Sequence, residues 1–181
     1  MRFALILATA LVLLAPAAAS ARPFTISAQG NATGFGQVRA IGDFRPPDDP
    51  RYAAALDAFG TPDAERSVFG GNGCRVSWHG QGLKILFANF GVGSACTPGR
   101  GLAQTARAYG PRWRTVRGLR VGARLVRLRA LYPRASRHGR VWWLTTAVNL
   151  IGETQRYPVL AAAVRGGRVR SFVLAIGAAG D

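Results

Sequence analysis

The side chains that acid–base and metal chemistry most often use are few in this 181-residue chain: two histidines, two cysteines and eight carboxylates. General acid–base catalysis needs a titratable group tuned near the working pH, usually by a partner. His79 falls on the polar face of an alternating segment or in the turn after it. His138 stands in "RASRHGR", where neighbouring positive charge disfavours the imidazolium. The first half holds Asp43, Asp48, Asp49, Asp57, Asp63 and Glu65; the second holds only Glu153 and Asp181. Asp48 and Asp49 have a plain account as a proline loop and a helix cap. A zinc site would need Cys74, His79, Cys96 and His138 together, without the close cysteine pair of structural sites. The glycine runs "GNATGFG" and "FGGNG" lack a phosphate-loop lysine. Ser94 sits near Cys96 with no recognisable acid–histidine pair. The expectation is no catalytic residue, no metal and no cofactor. A small extracellular hydrolase assembled from distant residues is the enzymatic alternative.

What the chain has in quantity is arginine. Of its 24 basic residues only Lys84 is a lysine, a preference that a genome rich in G and C produces through its codons. The distribution is more informative. Residues 22–98 carry seven basic and six acidic residues, whereas 99–181 carry sixteen basic and two acidic. Between Arg107 and Arg140 lie eleven arginines and no acid. Asymmetry of this kind raises local anion concentration and association rate; it does not specify a fold. The candidate contacts are Arg112, Arg114, Arg117, Arg120, Arg124, Arg127, Arg134, Arg137 and Arg140. No acid supplies the i,i+4 partners that arginines on an ordinary helix face would have.

The elements that must position these residues show in the pattern. "FTISAQ" and "QVRAIG" read as strands, and "DFRPPDDP" as a proline loop. Asp49 then caps a helix with Pro50 in its first turn, Tyr52, Leu56 and Phe59 forming the apolar stripe and Gly60 with Pro62 the stop. Cys74, Val76 and Trp78 alternate with Arg75, Ser77 and His79, and "LKILFANF" returns as the partner strand. "GLAQTARAYG" reads as a short linker helix. The second half repeats the grammar: a helix with Val121, Leu125, Leu128 and Tyr132 inward, an arginine-rich loop, "VWWLTTAVNLI" as a long strand, and two more strands around Gly166-Gly167. Trp78 is expected in the core, and one of Trp142 and Trp143 is expected to be partly exposed. Trp113 is a candidate for stacking on a ligand.

The expected fold class is α+β: two degenerate units of helix plus antiparallel sheet, residues 22–98 and 99–181, after a signal segment, 1–21. That segment has Arg2, an apolar stretch from Phe3, and Ala19-Ser20-Ala21 as a cleavage signal. No cysteine stands there to take a lipid anchor. An oxidising destination makes a Cys74–Cys96 disulfide the default.

Tyr52 to Pro62 with the two cysteines, and Val121 to Pro133 with the strands after it, give an arrangement that resembles the tandem fold of the beta-lactamase inhibitory proteins and of the outer-membrane assembly lipoprotein BamE. The resemblance spans about residues 38–176 and matches no binding-site motif. It implies a protein partner, and members with more than one disulfide, where this chain has cysteines for one. The functional expectation is a secreted, non-catalytic binding protein contacting an anionic partner: cell-wall polymer, acidic polysaccharide or acidic protein surface. A secreted inhibitor or envelope assembly factor is the alternative. Nucleic acid is disfavoured, because the chain reads as exported and lacks base-reading motifs. Peripheral contact with lipid headgroups stays open.

Overall fold

The computed structural model describes residues 22–149 and 154–177. The expected signal segment, Glu153 and Asp181 lie outside them. Two strands open the fold, β1 (Phe24–Gln29) and β2 (Gln37–Ile41), paired antiparallel with a bulge between Ser27 and Ala28. A third, β7 (Trp113–Thr115), pairs parallel with β1 and completes a small sheet of order β2-β1-β7.

Helix α1 (Tyr52–Phe59) buries Tyr52, Ala55 and Phe59 and ends at Gly60, whose φ of 76° no β-carbon obstructs and whose N–H reaches the Leu56 carbonyl at 2.7 Å. Its cap differs from the expectation. Arg51 is the N-cap residue and caps with no side chain. Asp49 instead accepts from the Arg51 amide at 2.9 Å and from its guanidinium at 2.8 and 2.6 Å, which holds its carboxyl below the usual range.

After α1 come β3 (Ala64–Val68), β4 (Gly73–Trp78), β5 (Leu83–Ala88) and β6 (Leu102–Ala108), each antiparallel to the one before. Register explains the core: Cys74, Val76 and Trp78 lie opposite Phe87, Ile85 and Leu83, all buried. Tyr52 meets the Phe87 ring at 4.9 Å and Phe59 meets Trp78 at 5.3 Å, so α1 lies on this face. The Cys74–Cys96 disulfide, Cα–Cα 5.0 Å, ties the loop after β5 back to β4.

The expected linker helix at 101–110 is strand β6. Ala103, Ala106 and Ala108 are buried while Thr105 and Arg107 are exposed, an inside–outside alternation that pairing on both edges enforces. Hydrogen bonding therefore runs straight through the expected boundary at 98/99.

Helix α2 (Leu125–Leu131) is shorter than the stripe from Val121 suggests. Gly122 has φ 89°, and residues 122 and 123 bond instead with Val169, N–H to carbonyl in each direction, at 2.8 and 2.9 Å. Leu128 and Tyr132 are buried as expected. Then follow β8 (Ser136–His138), β9 (Val141–Asn149), β10 (Gln155–Arg165) and β11 (Arg168–Ala175). The segment expected as an arginine loop thus contains a short edge strand, β8, paired with β9. The β10–β11 turn is Gly166-Gly167, φ 58° and 67°, the positive values a tight hairpin requires.

The large sheet has order β3-β4-β5-β6-β11-β10-β9-β8. Each helix precedes a four-stranded meander, and the last strands, β6 and β11, join the two meanders antiparallel. The small sheet packs on the same face as the helices. Gly36 marks the crossing: a β-carbon there would stand 2.2 Å from Val159 Cγ2 and 2.8 Å from Ala147 Cβ. Trp113, a stacking candidate in the sequence, is core, fully buried, with its indole donating to the Gln81 carbonyl at 2.7 Å. Trp78 is core too, and of the Trp142–Trp143 pair Trp143 is the half-exposed member.

Candidate anion-binding surface

The candidate arginines run from just before β7 to the turn after β8, with Arg114 on β7, Arg127 on α2, Arg137 on β8 and the rest in the segments between and beside them. Burying one stripe of α2 turns Arg127 outward, while the extended stretch before the helix leaves Arg120 and Arg124 exposed. Arg124 bridges Arg168 on β11, whose guanidinium donates to the Gly122 carbonyl at 3.0 Å. The β10–β11 hairpin tip is thereby docked against the start of α2.

The candidates divide into groups. Arg117 lies 5.0 Å from the Tyr132 ring centroid, donates to the Leu131 carbonyl at 3.3 Å, and with Arg134 lines a hollow of about 320 Å³. Burial holds the Tyr132 phenol above its usual pKa, against the lowering influence of Thr115 and Arg117. Arg137, on β8 opposite Trp142, and Arg140, in the next turn, share a second hollow of about 240 Å³ with Arg129. The Arg129 guanidinium stands 5.1 Å from the Trp142 ring centroid. Arg114 faces Arg120 through an isolated bridge. Arg112 stands apart, half-buried, 4.3 Å from the Phe24 ring centroid and bonded to the Arg22 carbonyl at 2.9 Å. Its fixed partners make it a structural tie to β1.

Charge within these groups is uncompensated. Among the described residues the one ion pair within 4.0 Å is Arg51–Asp49, and none of the nine candidates reaches a carboxylate. Arg129 was not among the sequence candidates. Its place beside the apolar stripe was legible, but the indole that holds it comes from another element.

A second cationic surface lies on the large sheet's other face. Arg66 is directly opposite Arg75, and Lys84 directly opposite Arg107. All four are exposed. Like charges so placed disfavour the pairing, and Arg107 gains only a bond to Ser171 Oγ at 3.1 Å. The row through Lys84 and Arg107 continues over Val173 and Ala161 to Trp143, which stacks on His138 at 3.7 Å. Sequence reading missed this surface because its members lie on separate strands and only register aligns them.

The groups with catalytic or metal chemistry are placed as follows. Ser136 Oγ lies 3.1 Å from His138 Nε2 on β8. Among the described residues no carboxylate comes within 4.0 Å of that ring, which is held by stacking on Trp143. Ser94 Oγ accepts from the Cys96 amide at 3.1 Å, as a turn residue does. Glu65 and the two sulfurs lie within 4.8 Å of one another, but sulfurs joined in a disulfide are not thiolate ligands. The Glu65 carboxylate accepts from the Tyr52 hydroxyl. A hollow of about 550 Å³ beside Pro46, Pro47, Pro50 and Phe90 has no titratable side chain in its lining.

Fold and surface together define an α+β protein of two helix-and-meander units, joined through one sheet and stapled by one disulfide. No family model, no curated protein and no solved structure matches the chain.

Proposed function

We propose that this is a secreted, non-catalytic binding protein that holds an anionic partner through the arginines of its second half. The partner is a cell-wall polymer, an acidic polysaccharide or an acidic protein surface. One observation carries the reading: Arg117, Arg120, Arg124, Arg127, Arg134, Arg137 and Arg140 are exposed, and none has a described carboxylate within 4.0 Å. Repulsion among them is relieved when an anion arrives. The disulfide supports an oxidising, extracytoplasmic compartment. Among the described residues no helix is long and apolar enough to cross a membrane.

The test is retention of the purified protein on cell wall, a heparin-like polymer, DNA and anionic vesicles across an ionic-strength series. Retention should fall steeply with salt. Neutralising Arg117, Arg120, Arg124 and Arg127 to Gln should weaken it about tenfold, at a few tenths of a kcal/mol per lost contact. Equal retention of that variant rejects the site.

A second reading, a secreted protein inhibitor or envelope assembly factor, is supported by the sheet face carrying Arg66, Arg75, Lys84, Arg107 and Trp143. Four cations on the sheet face that also carries a half-exposed indole, several strands away, suit an acidic protein surface, since interface energy concentrates in arginine and aromatic anchors. Under this reading R75Q/R107Q and W143A abolish binding to an acidic protein while the α2 variant leaves it intact.

A further inference from the structure

The hollow of about 240 Å³ beside α2 brings together three guanidiniums, Arg129, Arg137 and Arg140, against walls from Leu125 and Trp142. We propose that it is a binding site for a tetrahedral dianion, a phosphate or sulfate group carried on a sugar-sized molecule. The proposal deepens the anionic-partner reading by naming the chemical group that this part of the second half takes.

Two of the three guanidiniums are held before any ligand arrives. The Arg129 guanidinium lies over the Trp142 ring, 5.1 Å from its centroid, a cation–π contact that uses none of its N–H donors. Arg137 donates from Nε to the Gly139 carbonyl at 2.9 Å, which fixes the plane and leaves its terminal nitrogens available. Trp142 lies opposite Arg137 in the β8–β9 register and is only 8% exposed, so both arginines are referred to one immobile ring. Immobilised donors lose less entropy on binding than free ones. Arg140 is exposed at the rim. No described carboxylate lies within 4.0 Å of any of the three.

Stoichiometry selects the ligand. A carboxylate accepts one guanidinium fork bidentately and has about four lone-pair sites in all, fewer than the six N–H groups of three forks. Three forks around one hollow exceed what its two oxygens accept, whereas a phosphate monoester offers three acceptor oxygens and close to two charges. The volume lies below the usual range for drug-sized ligands, roughly 300–1,000 Å³. It therefore suits the anionic group with a small carrier.

The experiment is calorimetric titration of the purified protein with inorganic phosphate, inorganic sulfate and glucose 6-phosphate at matched ionic strength, with chloride as reference. Phosphatidic acid vesicles form a separate arm. Glucose 6-phosphate should bind saturably and alter tryptophan fluorescence, and R129Q should weaken it at least tenfold. R140Q, at an exposed position without a side-chain bond, should do the same and guards against a folding defect in R129Q. R156Q, an exposed arginine outside the hollow, should leave the affinity within twofold. The proposal is overturned if no soluble dianion binds, if only the vesicles do, or if R156Q weakens binding as much as R140Q. Polymer retention without dianion binding removes this site and leaves the proposed function. Saturable dianion binding, with polymer retention untouched by the four-arginine variant, does the reverse.

Discussion

Tyr52 buries a phenol under α1 and donates its hydroxyl to Glu65. Burial first, then the carboxylate, holds its pKa far above the usual 10.0. A raised folded pKa means that the unfolded chain releases its proton first, so this contribution to stability is intact below pH 10 and drains away above it. Urea midpoints should therefore be level from pH 8 to 9.5 and fall beyond. Y52F should flatten that fall, leaving the smaller part due to Tyr132, whose phenol burial also raises. An unchanged slope in Y52F would reject the assignment. The disulfide acts at the same scale. Closing a separation of 22 residues, it should stabilise the fold by ~3 kcal/mol, read as the loss in C74S/C96S. Both cysteines were legible as a pair from their number alone. The Tyr52–Glu65 contact was not, because Tyr52 read only as one member of an apolar stripe.

Among the elements, α2 depends most on its neighbours. It has seven residues, no side-chain cap and one fully buried side chain, Leu128. A helix this short does not persist by itself. Its first amide instead bonds the Gly167 carbonyl at 2.8 Å, coupling the helix to the β10–β11 turn. Replacing Gly166-Gly167 with Ala-Ala should cost about 2 kcal/mol through the positive φ values, whereas Asn-Gly should be tolerated. L128A should cost about 2–5 kcal/mol in chemical denaturation. If the turn variant also loosens α2, hydrogen exchange at Leu128 and Tyr132 will quicken. The stripe and the glycine pair were readable because period and turn chemistry are local. The start of α2 was misplaced by four residues because 121–124 satisfy their backbone on β11 and not within a helical turn. Strand β6 was misread for a related reason: its alanines carry no strand preference, and only pairing on both edges decides their state.

For the whole molecule, the formal net charge of +16 sets behaviour in solution. Self-association should be suppressed at low salt, and capture by polyanions should weaken as the Debye length shrinks, from about 10 Å at 0.1 M to about 3 Å at 1 M salt. Retention on a heparin-like polymer that is indifferent to salt would contradict a charge-driven partner. The arginines do not form one continuous field. One group gathers around Tyr132, another around Trp142, a third row crosses the sheet, and Arg112 serves β1. The Tyr132 and Trp142 groups line separate hollows beside α2, so R117Q/R134Q and R137Q/R140Q should have separable effects.

By itself the sequence determined the fold class, the disulfide and the segregation of charge. Each of these follows from local periodicity, from residue counts or from the lack of an alternative partner. Tertiary structure alone decided which arginines share a hollow, which one is tied to the backbone, and that Arg66, Arg75, Lys84 and Arg107 form one surface. Strand register and the packing of an indole against a distant guanidinium depend on contacts between residues far apart in the chain. No local pattern encodes them.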